Sequence, residues 1–230
     1  MDVTFSPKAK KLPAELLRVN AQAPESDALR YAAHLLVKGC VIGIPTDTFY
    51  GLAADPFNLA AVDELYRVKG RPETRALPIL VNSLDQALIL MRQDIADAVE
   101  QPSSHFLKLA EAFWPGGLTI VTDASNRVPL KVTANTGKVA LRWPKSPVVE
   151  RLIDEFGGPV TGTSANLSGL PACANTEQLM AQLGLKLPLI LDAGETGVGL
   201  PSTIIGLNDG SWEILREGAI PVAEIRAILS

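Results

Sequence analysis

Apolar residues recur along this chain in two rhythms, and the changes from one to the other outline alternating helices and strands. From Ser26 to about Lys38, Leu29, Ala32, Ala33 and Leu36 fall three and four apart, which predicts a helix with one buried stripe. Ser26 is its expected cap and Gly39 its end. The run CVIGIP follows as a short buried strand stopped by Pro45. A second helix is predicted over Ala60–Val68, with Ala61, Val62, Leu65 and Tyr66 on one side. LPILV is the next strand, followed by a helix capped at Ser83. LTIV, KVALRW, PVTGTS and PLILD all have strand length and strand composition. Within SPVVERLIDEFGG, Ser146 as N-cap, Pro147 at the first helical position and Gly157 at the end mark a helix. STIIGL and WEILRE flank Asn208-Asp209-Gly210, a hairpin signal, and a short helix from about Val222 closes the pattern.

Strands alternating with helices, plus one hairpin, imply an α/β fold with a mixed rather than purely parallel sheet. Length and composition agree. The 230 residues suit one large domain, and 47% hydrophobic against 20% charged residues excludes wholesale disorder. Pro7, Pro13 and Pro24 interrupt residues 1–24, which are expected to form an irregular arm before a domain over 25–230. A net charge of −4 argues against a basic coat for nucleic acid but leaves a local positive cleft open. Cys40 and Cys173 are far apart and lack zinc-ligand spacing, and a disulfide framework is not expected in a chain of this size. The N-terminus has no signal-peptide core, and stretches such as Val41–Pro45 and Leu187–Leu191 are too short to span a bilayer. A cytoplasmic location and no membrane partner are therefore expected.

Three segments carry candidate chemistry. PTDTFYGLAADP, residues 45–56, follows a buried strand directly and concentrates hydroxyls, a carboxylate and a phenol. Loops at strand ends are where α/β sheets place ligand sites; the plainer alternative is a polar turn whose Asp47 and threonines bond their own backbone. KGRP, residues 69–72, sets an ammonium and a guanidinium around Gly70, a pair suited to polyphosphate. Basic residues near a helix C-terminus are also commonly dipole partners exposed to water. TGTSANLSG, residues 161–169, is rich in small residues that let backbone N–H groups approach an anion. Its Gly162–Asn166 stretch narrowly misses the nucleophile elbow, because Asn166 replaces the second glycine. His34 and His105 fall on predicted helices without marking a base for Ser164, so a serine hydrolase is disfavoured. A Walker loop is missing, and the glycines of GETGVG do not open a helix after a strand as a dinucleotide fingerprint requires.

Taken in order, PTDTFYGL, KGRP with LPILV, WPGGLTIV, LRWP, TSANLSG, PSTII and ILREGAI resemble the YrdC-like threonylcarbamoyl-AMP synthase family, in its short form, with its Lys-x-Arg and Ser-x-Asn signatures. The resemblance implies an open, twisted mixed sheet with flanking helices and a broad, basic concave site. It also implies a reaction in which threonine takes up bicarbonate carbon as N-carboxythreonine and is adenylated by ATP, releasing pyrophosphate. The threonylcarbamoyl group would then pass, through a downstream transferase complex, to an adenosine of tRNA, and direct tRNA contact is left open. By the same resemblance, Lys69 and Arg71 hold the ATP phosphates and are the catalytic pair. Ser164, Asn166 and Arg216 contact the nucleotide, while Thr46, Arg142 and Ser202 form the amino-acid pocket. Thr48, Tyr50 and Thr119 lie in matching motifs. Magnesium is expected on the ATP phosphates rather than in a protein cage. The stretch ETRALPIL departs from the family pattern, so no threonine contact is carried over there. An RNA-binding module of the same fold, and a paralogue with another carbamoyl or adenylate transfer, are the rival readings. The apparent completeness of the amino-acid pocket favours the enzyme.

Overall fold

The computed structural model describes residues 12–230 apart from 100, 102, 103, 198 and 209. Its strands form two mixed sheets rather than one. The first runs β1 (Glu15–Arg18), β9 (Leu189–Asp192), β2 (Ile42–Ile44), β3 (Gly51–Ala53), β8 (Thr163–Ser164). The second runs β11 (Ser211–Arg216), β10 (Thr203–Asn208), β5 (Leu118–Asp123), β6 (Lys138–Arg142), β4 (Ile79–Leu80), β7 (Val160–Thr161). Both combine parallel and antiparallel neighbours, as the element order predicts.

The expected single strand PVTGTS is the seam between them. Val160–Thr161 pairs with β4, Thr163–Ser164 pairs with β3, and Gly162 carries the chain across. A Cβ at Gly162 would lie 2.3 Å from Leu80 Cγ, so only glycine lets the strand cross there. Thr161 locks the seam, its hydroxyl accepting from Ala54 N and donating to Leu52 O.

Helices α1 (Ser26–Val37) and α6 (Pro147–Phe156) pack on each other and on the first sheet. The predicted stripe Leu29, Ala32, Ala33 and Leu36 is buried. Ser26 is the first helical residue, however, and Glu25 is the N-cap without a side-chain capping bond. Local signals hold elsewhere. Ser83 caps α3 (Leu84–Leu90) and Ser146 caps α6, which ends on left-handed Gly157, while Asn58, not named from the sequence, caps α2 (Leu59–Lys69). Helices α4 (Gln93–Ala98), α5 (His105–Phe113) and α7 (Thr176–Leu183) join the predicted ones, and α8 (Val222–Leu229) packs against α5. The β10–β11 hairpin forms with Asn208 opposite Ser211; Asp209 of its turn lies outside the described residues.

The irregular arm expected over 1–24 is corrected at Glu15–Arg18. This stretch adds a parallel strand to β9, and Ala14 N donates to Gly184 O at 2.6 Å. Its burial pattern lacks alternation, because an edge strand is held by backbone pairing more than by a buried face. Residues 1–11 of the expected arm lie outside the described residues. Among the described residues, no helix is long and apolar enough to cross a membrane.

Leu152 of α6 is fully buried in the α1–α6 cluster. Leu152→Ala should lower unfolding free energy by about 2–5 kcal/mol in urea titration. A loss below about 1 kcal/mol would show that this interface is loosely packed.

Candidate functional site

The crease between the sheets opens into a cavity of about 720 Å³. The loop before β3, strand β8 and the strands β5, β6, β10 and β11 all contribute walls. Thr46, Thr48, Arg71, Thr119, Arg142, Ser164, Asn166, Ser202 and Arg216 line this one space, so the residues expected from separate motifs converge. Lys69 is the exception. Its residue is 3% exposed and is not among the lining side chains.

Lys69 leaves the end of α2, and left-handed Gly70 then redirects the chain so that Arg71 reaches the cavity. The Lys69 ammonium instead enters the loop after β8. It donates among Ser164 O, Ser164 Oγ at 3.3 Å, Asn166 O at 3.1 Å and Asn166 Oδ1 at 2.9 Å. Lys69, expected to hold the ATP phosphates, thus directs its ammonium into this loop. Burial, with the Arg71 charge adding to it, pulls Lys69 down to about 8. Ser164 Oγ donates to Asn166 Oδ1 at 2.6 Å, and the Asn166 amide donates to Leu167 O and Leu170 O. Lysine, serine and asparagine form one network.

Among the described residues, Arg71 donates to neutral oxygens alone, Arg75 O at 3.2 Å and Ala76 O at 2.8 Å. The ETRA stretch that departs from the family pattern thus supplies a carbonyl cup for this guanidinium. Burial holds Arg71 below the usual arginine range.

Arg142 is 6% exposed and pinned from three sides. It donates to Asp47 Oδ1 at 2.6 Å, Thr48 Oγ1 at 3.0 Å and Gly116 O at 3.0 Å. Burial lowers its pKa while the Asp47 carboxylate acts to raise it. Its charge is already compensated, and the remaining N–H groups are what it can offer a ligand. Asp47 is the residue that sequence reasoning underrated. The sequence reads its segment as a ligand-site loop or a self-bonding turn, and no local signal links it to an arginine 95 positions away. The self-bonding turn does describe Thr46, whose Oγ1 donates to Phe49 O at 2.6 Å and accepts from Thr48 N.

Arg216 donates to Ser202 O at 2.7 Å and Ser202 Oγ at 3.1 Å, and Ser202 Oγ lies 2.8 Å from Thr119 Oγ1. Burial of its head group, then the positive charge of Arg142, lowers Arg216. The residue expected for nucleotide and the serine expected for the amino acid therefore touch. Lys138, also lining the cavity, is neutralised by Asp123 and bonds Asn208 Oδ1 at 2.8 Å. Tyr50 is a buried strut: its hydroxyl donates to Gly194 O at 2.7 Å, and burial pushes it up to about 12. That bond ties in the segment of GETGVG, where a Cβ on Gly197 would meet Asp47 O at 2.3 Å.

Comparison with known proteins bears on this geometry. The family model Sua5_yciO_yrdC, described as telomere recombination, matches residues 34–218. The threonylcarbamoyl-AMP synthase of Pyrococcus abyssi (strain GE5 / Orsay) is 33% identical over 201 residues, 87% of this chain and 57% of that one. That of Vibrio cholerae serotype O1 (strain O395) is 36% identical over 190 residues, covering 83% of this chain and 97% of that one. The chain thus spans little more than half of the first relative and nearly all of the second. The crystal structure of P. abyssi Sua5 complexed with L-threonine superposes with a TM-score of 0.86 at 32% identity, covering 94% of this chain and 61% of that one.

Two outcomes test the charges described here. Asp47→Asn strands a buried guanidinium, and should cost roughly 2–4 kcal/mol in urea titration, moderated because Asp47 keeps 17% exposure. A change within about 0.5 kcal/mol would mean the pair contributes nothing. For Lys69, the folded pKa of about 8 lies below the ordinary 10.5. Between these values the unfolded chain binds a proton that the folded chain has released, so stability rises with pH. The stability of wild type relative to Lys69→Met should therefore grow from pH 8 to 10.5, and a flat difference would contradict the shift.

Proposed function

Because the chain belongs to the Sua5_yciO_yrdC family, we propose that it is a nucleotidyltransferase making threonylcarbamoyl-AMP and pyrophosphate from L-threonine, bicarbonate and ATP. One observation carries the reading. Arg142 and Lys138 have carboxylate partners, whereas Arg71 and Arg216 face the same cavity and, among the described residues, have none. Two guanidiniums held on neutral carbonyls leave positive charge for an anionic ligand, and a triphosphate offers forked oxygens to both.

In this reading Arg71 and Arg216 neutralise the phosphates as charge moves onto departing pyrophosphate. The Ser164 hydroxyl, held on Asn166, turns its hydrogen to a phosphate or ribose oxygen when the nucleotide binds. Threonine lies toward Thr46 and Ser202, with its carboxylate on the remaining N–H groups of Arg142. Its amine takes up the bicarbonate carbon with loss of water. A carbamate oxygen then attacks the α-phosphorus, and the bond to pyrophosphate breaks. The contact between Ser202 and Arg216 suits that chemistry, because the new bond forms where the two ligands meet. No protein nucleophile is needed. Magnesium would enter on the phosphates, which supply its oxygens, and the hydroxyls of Thr46, Thr48 and Thr119 suit its water shell better than direct ligation. Delivery of the threonylcarbamoyl group to tRNA by a transferase is the proposed onward step, in the cytoplasm.

The test is pyrophosphate release from ATP with threonine and bicarbonate supplied singly and together. Release should require both. Serine should be slower by about 10–200-fold, the range one methyl group allows. Equal release without bicarbonate, or a tRNA mobility shift with no pyrophosphate release, would overturn the proposal.

A further inference from the structure

Lys69 has more acceptors than hydrogens. An ammonium carries three N–H groups, and four oxygens of the Ser164–Asn166 loop already surround this one. The loop returns the contact, since Ser168 N donates to Lys69 O at 2.9 Å. Among the described residues, the side-chain partners of Lys69 are neutral oxygens on one loop. Arg71, Ser164 and Asn166 open onto the cavity while Lys69 lies behind them. The chemistry of the two signatures thus divides. Lys69 faces inward, Gly70 turns the chain at φ 60°, and Arg71 faces the ligand.

We infer that Lys69 is a positioning residue that acts through Asn166 and Ser164, shaping the loop against the nucleotide instead of touching the phosphates. This rests on the proposed use of the cavity for ATP. The physical case is steric as much as electrostatic. A buried ammonium stripped of these oxygens would be left without solvation, so the loop is obliged to close over it. Closure fixes Asn166 Oδ1, and Asn166 Oδ1 fixes the orientation of the Ser164 hydroxyl. With Asn166 Oδ1 already bonded to Lys69, that hydroxyl can release its own hydrogen to a ligand without orphaning an acceptor. A guanidinium cannot replace the ammonium, because its planar fork does not fit a cup of converging oxygens.

The experiment compares Lys69→Met, Lys69→Arg, Asn166→Ala and the double variant Lys69→Met/Asn166→Ala in the full chain. Readouts are steady-state kinetics, titration with inorganic pyrophosphate, and hydrogen exchange of the 164–170 amides. Both Lys69 variants should lower kcat/KM for ATP on the order of 10²-fold, as displaced contacts do, with KM for threonine unchanged. The double variant should be no worse than Asn166→Ala, and exchange should quicken in 164–170 but not in α6. Near-normal activity in Lys69→Arg would show that charge alone suffices and would overturn the inference. So would losses that multiply in the double variant with loop exchange unchanged. If a Lys69 variant lacks a cooperative melt, Asn166→Ala decides, since its loop exchange must rise for the inference to stand. Should wild type release no pyrophosphate, the proposed function fails, while pyrophosphate titration and loop exchange still report on Lys69.

Discussion

A cation taken out of water must be given oxygen atoms, and the site of this protein is shaped by how each of its cations receives them. Lys69 draws a loop around itself. Arg142 recruits Asp47 and Thr48 from one loop and a glycine carbonyl from another part of the chain. Among the described residues, Arg71 and Arg216 bond neutral oxygens and have no carboxylate partner, so their charge stays uncompensated at the cavity. The pattern is a gradient of neutralisation, from paired charge on the Asp47 side to free charge where an anion would enter. Removing the oxygens around any one cation would therefore disturb the wall that it builds, and not only its own contact.

That gradient depends on the crease. Gly162 allows the chain to pass from one sheet to the other against Leu80, which puts Ser164 and Asn166 on the cavity with Thr119 of β5, Arg142 of β6 and Ser202 just before β10. The backbone of the Asp47–Thr48 loop is supported from behind by Tyr50 bonding to Gly194 and by Gly197 packed on its carbonyls. GETGVG, which fits no dinucleotide fingerprint, finds its place as this support. The glycine at 197 is needed because a Cβ would collide with Asp47 O and Thr48 O.

Much of the architecture was legible along the chain because its causes are local. Ser83 and Ser146 cap helices through bonds to N–H groups three residues on, and Gly157 ends one by adopting a left-handed backbone. Apolar spacing marks α1 and α2, apolar runs of strand length mark β2, β5, β6, β9 and β10, and the motif order marks residues that gather at the cavity. Tertiary structure alone decided the rest. Strand β1 carries no alternation and exists because the edge of β9 offers it partners. PVTGTS has the composition of one strand, and its division at Gly162 depends on Leu80, a residue 82 positions away, as 162 minus 80. Spacing names Lys69 as basic but cannot say which way its ammonium points, because its acceptors are 95 and 97 residues distant. Periodicity and capping act within a turn or a strand, whereas the compensation of a buried charge is settled by whichever oxygens the fold brings within reach.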